Sequence, residues 1–259
     1  YNTAVGRIAL YANTTASQNT AVGYAALKLN TTGSYNTAVG KDALNQNTTG
    51  NSNTSLGFEA LTNNTTASYN TAVGRKVLCD NTTGAGNTAS GNYTMACNTT
   101  GGCNTAYGYG PLVYNTTGSQ NAAIGQHALV NNTTASHNTA VGACSLHANT
   151  TGHKNIGISP YALVANTTGA RNIGIGYCAL AGNTTASWNT AVGNNALCKN
   201  TTGTCNTASG AYSMYYNTTG SHNTGLGMCT LHANTTASQN TAVGHKALPV
   251  NTTGANNTA

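Results

Sequence analysis

Leucine or methionine returns at every seventeenth residue from Leu10 to Leu248, and the stretches between are almost wholly small or polar. Aligned on that interval the chain reads N-T-A-V-G-x-x-A-L-x-x-N-T-T-G-S-x, as in Asn19 to Tyr35. One leading residue is followed by fifteen complete repeats without insertion or deletion, then by three residues of a sixteenth. Position 9 is Leu in thirteen repeats and Met in two (Met95, Met214), and position 4 is Val, Ile or Leu in twelve. Both positions are read as inward anchors. Position 5 is Gly in fourteen repeats and Ser159, followed by Pro160, in the other, so a turn is expected there.

The remaining positions divide cleanly. Positions 3 and 8 stay small, as in Ala4, Ala21, Gly157, Ala9, Ala26 and Ser145, with Pro111 and Val77 as mild departures. Small residues imply close approach on that side and would permit solenoids to pack laterally. Positions 6, 7, 10, 11 and 17 vary freely. Together with turn position 16 they hold all twelve charged residues and all seven His, so they are expected to face solvent or another chain.

A helix does not fit this pattern, because Asn, Thr and Gly are poor helix formers and N-T-T-G would break a helix once per repeat. Short β segments divided by Gly and Asn do fit, with Thr at position 2 and Val at position 4 on one face by two-residue alternation. So short a segment buries no core alone; successive repeats must stack. The expected fold is all-β: a parallel β-solenoid or β-roll, one coil per 17-residue repeat, fifteen coils in a single uninterrupted array over residues 1–259. At a strand spacing of about 4.8 Å this would be a rod roughly 70 Å long. Asn stands at position 1 in all sixteen occurrences, and N-T-T fills positions 12 to 14 in all fifteen. Amide side chains stacked on adjacent strands can donate to one neighbour and accept from the other, so two Asn ladders per coil are expected.

Composition narrows the function. Asn and Thr make up 86 of 259 residues while 5% are charged, which is not the profile of an ordinary globular enzyme. The low charge equally argues against a self-repelling disordered chain.

The repeat N-T-A-V-G-x-x-A-L resembles the head repeats of trimeric autotransporter adhesins. It is still more similar to the N-T-A-x-G / N-T-T-G repeats of fibre proteins from phages, large viruses and bacteria. That resemblance runs the length of the chain and implies a left-handed parallel β-roll on a cell or virion surface, with three chains side by side. The period of 17 is longer than the adhesin unit and the N-T-T-G segment is additional. The chain begins and ends inside a repeat, at Tyr1 and Ala259, so a segment of a longer fibre is expected, associating end to end and laterally.

Candidate chemistry is sparse. The eight Cys never share a position in consecutive coils, and only Cys79 and Cys97 come close, so no disulfide framework is expected. Cys144, His147 and His153 share a repeat, but three free-position residues are a weak metal signal, and neither a metal nor another cofactor is expected. The three acids Asp42, Glu59 and Asp80 stand in different repeats, which leaves no paired carboxylates for catalysis. A net charge of +6 is scattered, with Arg75–Lys76 the only adjacent basic pair, so no nucleic-acid partner is expected. No apolar run is long enough to span a membrane.

N-T-T is an N-glycosylation acceptor as well as a ladder motif. The candidates are Asn13, Asn30, Asn47, Asn64, Asn81, Asn98, Asn115, Asn132, Asn149, Asn166, Asn183, Asn200, Asn217, Asn234 and Asn251. Asn at position 1 is equally invariant without being an acceptor, so ladders alone account for Asn; they account less well for Thr at position 14. Three functions follow. The first is a structural extracellular fibre shaft, glycosylated or bare. The second is an adhesin or receptor-binding head using Tyr107, Tyr109 and Tyr114, where Tyr107 replaces the aliphatic anchor. The third is an ice-binding solenoid, disfavoured because the adjacent Thr14 and Thr15 should point to opposite faces.

Overall fold

A computed structural model describes all residues from Tyr1 to Ala259, which form two compact units, Tyr1–Thr134 and Ala135–Ala259. Each unit is a parallel β-solenoid with no helix. The first holds β1 (Thr3–Val5), β2 (Thr20–Val22), β3 (Thr37–Val39), β4 (Thr54–Leu56), β5 (Thr71–Val73), β6 (Thr88–Asn92), β7 (Thr105–Tyr109) and β8 (Ala122–Ile124). The second holds β9 (Thr139–Val141), β10 (Ile156–Ile158), β11 (Ile173–Ile175), β12 (Thr190–Val192), β13 (Thr207–Ser209), β14 (Thr224–Leu226) and β15 (Thr241–Val243). Within each unit consecutive strands pair in parallel with a register of one repeat, Thr3 opposite Thr20 and Thr224 opposite Thr241.

Strands of three residues would be marginal by themselves, but backbone hydrogen bonds join coils around the whole circuit. In the second coil Thr20, Leu27, Leu29 and Thr31 donate to Asn36, Ala43, Asn45 and Thr48 of the third at 2.9–3.0 Å. Gly23 and Ala25 donate the other way, to Val5 and Arg7 of the first coil, at 2.8 and 3.0 Å. Buried backbone groups therefore find partners although most of each coil is turn.

In each unit the core is a column of position-9 side chains, fully buried from Leu27 to Leu129 in the first and from Leu146 to Leu231 in the second, lined by positions 3 and 8. This corrects two expectations. Position 4 is not an inward anchor: Leu56, Ile124 and Val243 are 46%, 42% and 59% exposed, while Ala21, Ala38 and Ala72 at position 3 are fully buried. Nor do the small residues at positions 3 and 8 form an outer packing surface, because they face the interior. The reason is the width of the coil. A Cβ built on Gly174, at position 3, would lie 3.3 Å from Cγ of Leu163, so the leucine column fills the space and only Ala, Gly or Ser fits opposite. Alternation then turns position 4 outward beside Thr of position 2. Of the positions expected to be open, 17 is exposed in every repeat, whereas 7 and 10 are mostly half-buried and Ala25, Asn45 and Val130 are buried.

Each coil turns through residues of positive φ. Gly at position 5 lies at φ 119–138°, and Ser159 takes φ 113° in its place, so the expected turn is present whichever residue makes it. A Cβ on Gly23 would stand 2.5 Å from the carbonyl oxygen of Gly40, which excludes ordinary side chains there. Position 9 adopts left-handed backbone in all fifteen repeats, at φ 45–54° for residues that are all Leu or Met.

Candidate functional site at the Asn-Thr-Thr corner

The corner is built from two Asn columns and one carbonyl. At position 12, Asn47 Nδ2 donates to Asn30 Oδ1 at 2.8 Å and to the Gly50 carbonyl at 2.9 Å, and Asn64 Nδ2 repeats the pattern on Asn47 at 2.9 Å. The ladder runs from Asn13 to Asn132 in the first unit and from Asn149 to Asn251 in the second. Inside each unit these amides are fully buried, and only Asn13 and Asn251 are half-exposed. The position-1 ladder differs in its donors: Asn36 Oδ1 accepts the backbone N–H of Asn53 at 2.9 Å, while Asn36 Nδ2 reaches the Gly50 carbonyl at 2.8 Å. One carbonyl at position 15 thus accepts from both columns.

Both N–H bonds of a position-12 amide are committed, so a glycan on Nδ2 would displace one of two buried hydrogen bonds. Such a loss costs about 1–3 kcal/mol per group left unsatisfied, before any room is made for the sugar. The two Thr that follow are not equivalent. The position-13 hydroxyl donates to the backbone of the next coil, as Thr31 Oγ1 does to Thr48 O at 3.0 Å and Thr99 Oγ1 to Thr116 O at 2.9 Å. The position-14 side chain, from Thr15 to Thr253, is exposed in all fifteen repeats. Both columns are invariant Thr in the sequence, whereas the neighbouring hydroxyl position 16 varies, and that contrast is the signal that separates a fold-bound hydroxyl from an open one.

The aromatic candidates are only partly brought together. Tyr107 and Tyr109 stand side by side on the outer face of β7, 43% and 53% exposed, opposite Ser90 and Asn92 of β6. These are the two strands that reach five residues. His127 lies against Tyr109 with ring centroids 5.6 Å apart. Tyr114 is exposed but lies in the turn after β7 and not on that strand. Basic and aromatic side chains elsewhere at position 6 stack on one another, with Arg7 over Tyr24 and both Lys41 and Arg75 against Phe58.

All eight Cys are free thiols. Burial, followed by the charge of Asp80 and the proximity of Cys97, pushes the Cys79 thiol up to about 11, and burial followed by Asp80 raises Cys97 as well. Cys144, His147 and His153 do not converge as a ligand set. No helix is long and apolar enough to cross a membrane. No family model matches the chain, and no curated protein matches it significantly.

Proposed function

We propose that the chain is shaft material of an extracellular fibre, a structural element whose task is reach and rigidity. The observation that carries this reading is the unbroken register within each unit: every coil repeats the hydrogen bonds of the last, and no loop interrupts the stack to offer a recognition surface. Two buried amide columns and a leucine column resist slippage, because a shift by one residue would take Leu out of the apolar column and Asn out of both ladders at once. The adhesin-like and viral fibre repeats that this sequence resembles point the same way. Self-association of such a shaft belongs to the same proposal. Imaging of the native material tests it: filaments whose axial repeat equals the coil spacing support the shaft, and discrete globular particles overturn it.

A second reading, a receptor-binding head, is favoured by one place in the fold. Tyr107 and Tyr109 form an exposed aromatic pair beside the lengthened strands β6 and β7, a surface suited to stacking against a sugar ring. Loss of surface binding on Tyr107→Ala and Tyr109→Ala with an unchanged melting temperature would support it.

A further inference from the structure

We infer that the position-14 threonines, Thr15 to Thr134 in the first unit and Thr151 to Thr253 in the second, are acceptor sites for O-linked sugar.

The argument turns on what keeps a residue type fixed over fifteen repeats. Position 12 is fixed because its amide is buried and bonded on both sides. Position 13 is fixed because its hydroxyl closes a hydrogen bond to the next coil. Position 14 has neither reason: the side chain is exposed, and its hydroxyl makes no hydrogen bond within the chain. Only its backbone is used, as in Thr32 N to Thr48 O at 3.1 Å and in Asn51 Nδ2 to Thr49 O at 3.0 Å, and any residue other than Pro could supply both groups.

Position 16 provides the control. There a hydroxyl does take part in holding coils together, for Ser34 Oγ accepts from Ser17 N at 3.1 Å and Ser68 Oγ from Asn51 N at 2.9 Å. Yet position 16 drifts to Ala85, Gly102, His153 and Ala170. A hydroxyl that the fold uses is dispensable, while a hydroxyl that the fold does not use never changes. The constraint at position 14 therefore comes from something outside the folded chain that requires a hydroxyl. Backbone shape does not supply it, since Val and Ile share the branched Cβ and never occur there.

The geometry also selects among external partners. A crystalline or polymeric surface lying along the column would need a flat face several residues wide. Position 17, three residues on, projects Tyr35, Tyr69 and Trp188 at 62%, 70% and 56% exposure, at irregular intervals. A partner that reads one residue at a time has no such requirement. A covalent sugar needs only the local Asn-Thr-Thr peptide, identical in every coil. It would also hydrate a surface that carries 5% charged residues and an exposed aliphatic row at position 4.

In the transfer, Thr Oγ1 attacks the anomeric carbon of a phosphate-activated sugar donor, either nucleotide-linked or lipid-linked. The new carbon–oxygen bond replaces the sugar–phosphate bond, whose electron pair leaves with the phosphate. The hydroxyl proton passes to a base of the transferase.

Mass spectrometry of the full chain isolated from its own cells tests the assignment. Peptides that contain Thr32 or Thr49 are expected to exceed their polypeptide masses by whole sugar-sized steps that disappear on alkaline β-elimination. Electron-transfer fragmentation should place them on Thr32 and Thr49 and on neither Asn30 nor Thr31. An unmodified mass, or sugar that resists alkali and sits on Asn30, overturns the proposal. A companion variant, Thr49→Val, Thr66→Val and Thr83→Val in chain made without the transferase, should melt where the parent melts. A clear fall in its melting temperature would mean that the fold itself needs these hydroxyls, and would equally overturn the proposal. Neither result bears on the fibre reading, which imaging decides.

Discussion

Asn19 and Asn30, eleven residues apart in one coil, donate to the same carbonyl oxygen, that of Gly33, at 2.9 and 2.8 Å. The remaining capacity of each amide goes to adjacent coils: Asn19 Oδ1 accepts Asn36 N at 2.8 Å, and Asn30 Oδ1 accepts Asn47 Nδ2 at 2.8 Å. Each coil is thus closed by its own amides and joined to its neighbours by the same groups. That coupling makes buried Asn tolerable in a column that has no access to water.

Asn47→Asp should be strongly destabilising. The carboxylate cannot donate to Asn30 Oδ1 or to Gly50 O, and it places a charge where the amide is fully buried. Each group left unsatisfied costs about 1–3 kcal/mol. Asn13→Asp, at a half-exposed amide, should cost less. Urea denaturation of the two variants checks the order, and equal losses would mean that the ladder contributes little.

The inverted face of the strand gives a second test. Leu78→Ala opens a cavity in the buried column and is expected to cost about 2–5 kcal/mol. Ala72→Val forces an extra pair of methyls against that column and should cost about 1–3 kcal/mol. Val73→Ala, one residue along but pointing outward, should change stability by under about 1 kcal/mol. If Val73→Ala proved the worst of the three in thermal denaturation, the strand would be facing the other way.

Gly57 and Gly86 differ in what a methyl group would meet. A Cβ at Gly57 would sit 2.3 Å from the Gly74 carbonyl oxygen at φ 138°, whereas at Gly86 the nearest atom is 3.6 Å away and φ is 70°. Gly57→Ala must therefore displace a neighbouring coil. Gly86→Ala only exchanges a free left-handed residue for a strained one, a matter of about 1–2 kcal/mol. Melting temperatures of the two variants should be widely separated.

Much of this fold was legible because the repeat never slips. The period set one coil per 17 residues, Leu and Met at position 9 marked the core, and the invariant Asn columns announced ladders. The face of the strand was not legible, because Ala and Val alternate in T-A-V and hydrophobicity favours Val as the inward residue. What decides is coil width: Leu163 already occupies the space opposite Gly174, and pattern carries no information about width. The left-handed backbone at Leu27 and Leu44 was also hidden, since no Gly or Asn marks it; closure of the coil and hydrogen bonds on both sides impose it. At the corner, the Asn-Thr-Thr motif could not say that Asn30 is spent internally while Thr32 is open.

Cys79 should show a pH dependence of both reactivity and stability. Its thiol is raised from 9.0 to about 11, chiefly by burial and then by Asp80 and Cys97. The thiolate is the nucleophile, so the alkylation rate at Cys79 should still be climbing as pH passes 10, and the exposed Cys103 and Cys205 should be labelled first at neutral pH. The stability effect follows from the same shift. Above about pH 9 the unfolded chain releases this proton while the folded chain retains it, so the unfolded state binds fewer protons and stability falls as pH rises toward 11. Partial exposure of the side chain reduces the size of the effect but not its sign. Cys79→Ala should flatten the decline in melting temperature between pH 9 and 11. A parent and variant with parallel pH profiles, or a Cys79 that is alkylated as fast as Cys103 at neutral pH, would show that the thiol is not held in the desolvated position between Asp80 and Cys97.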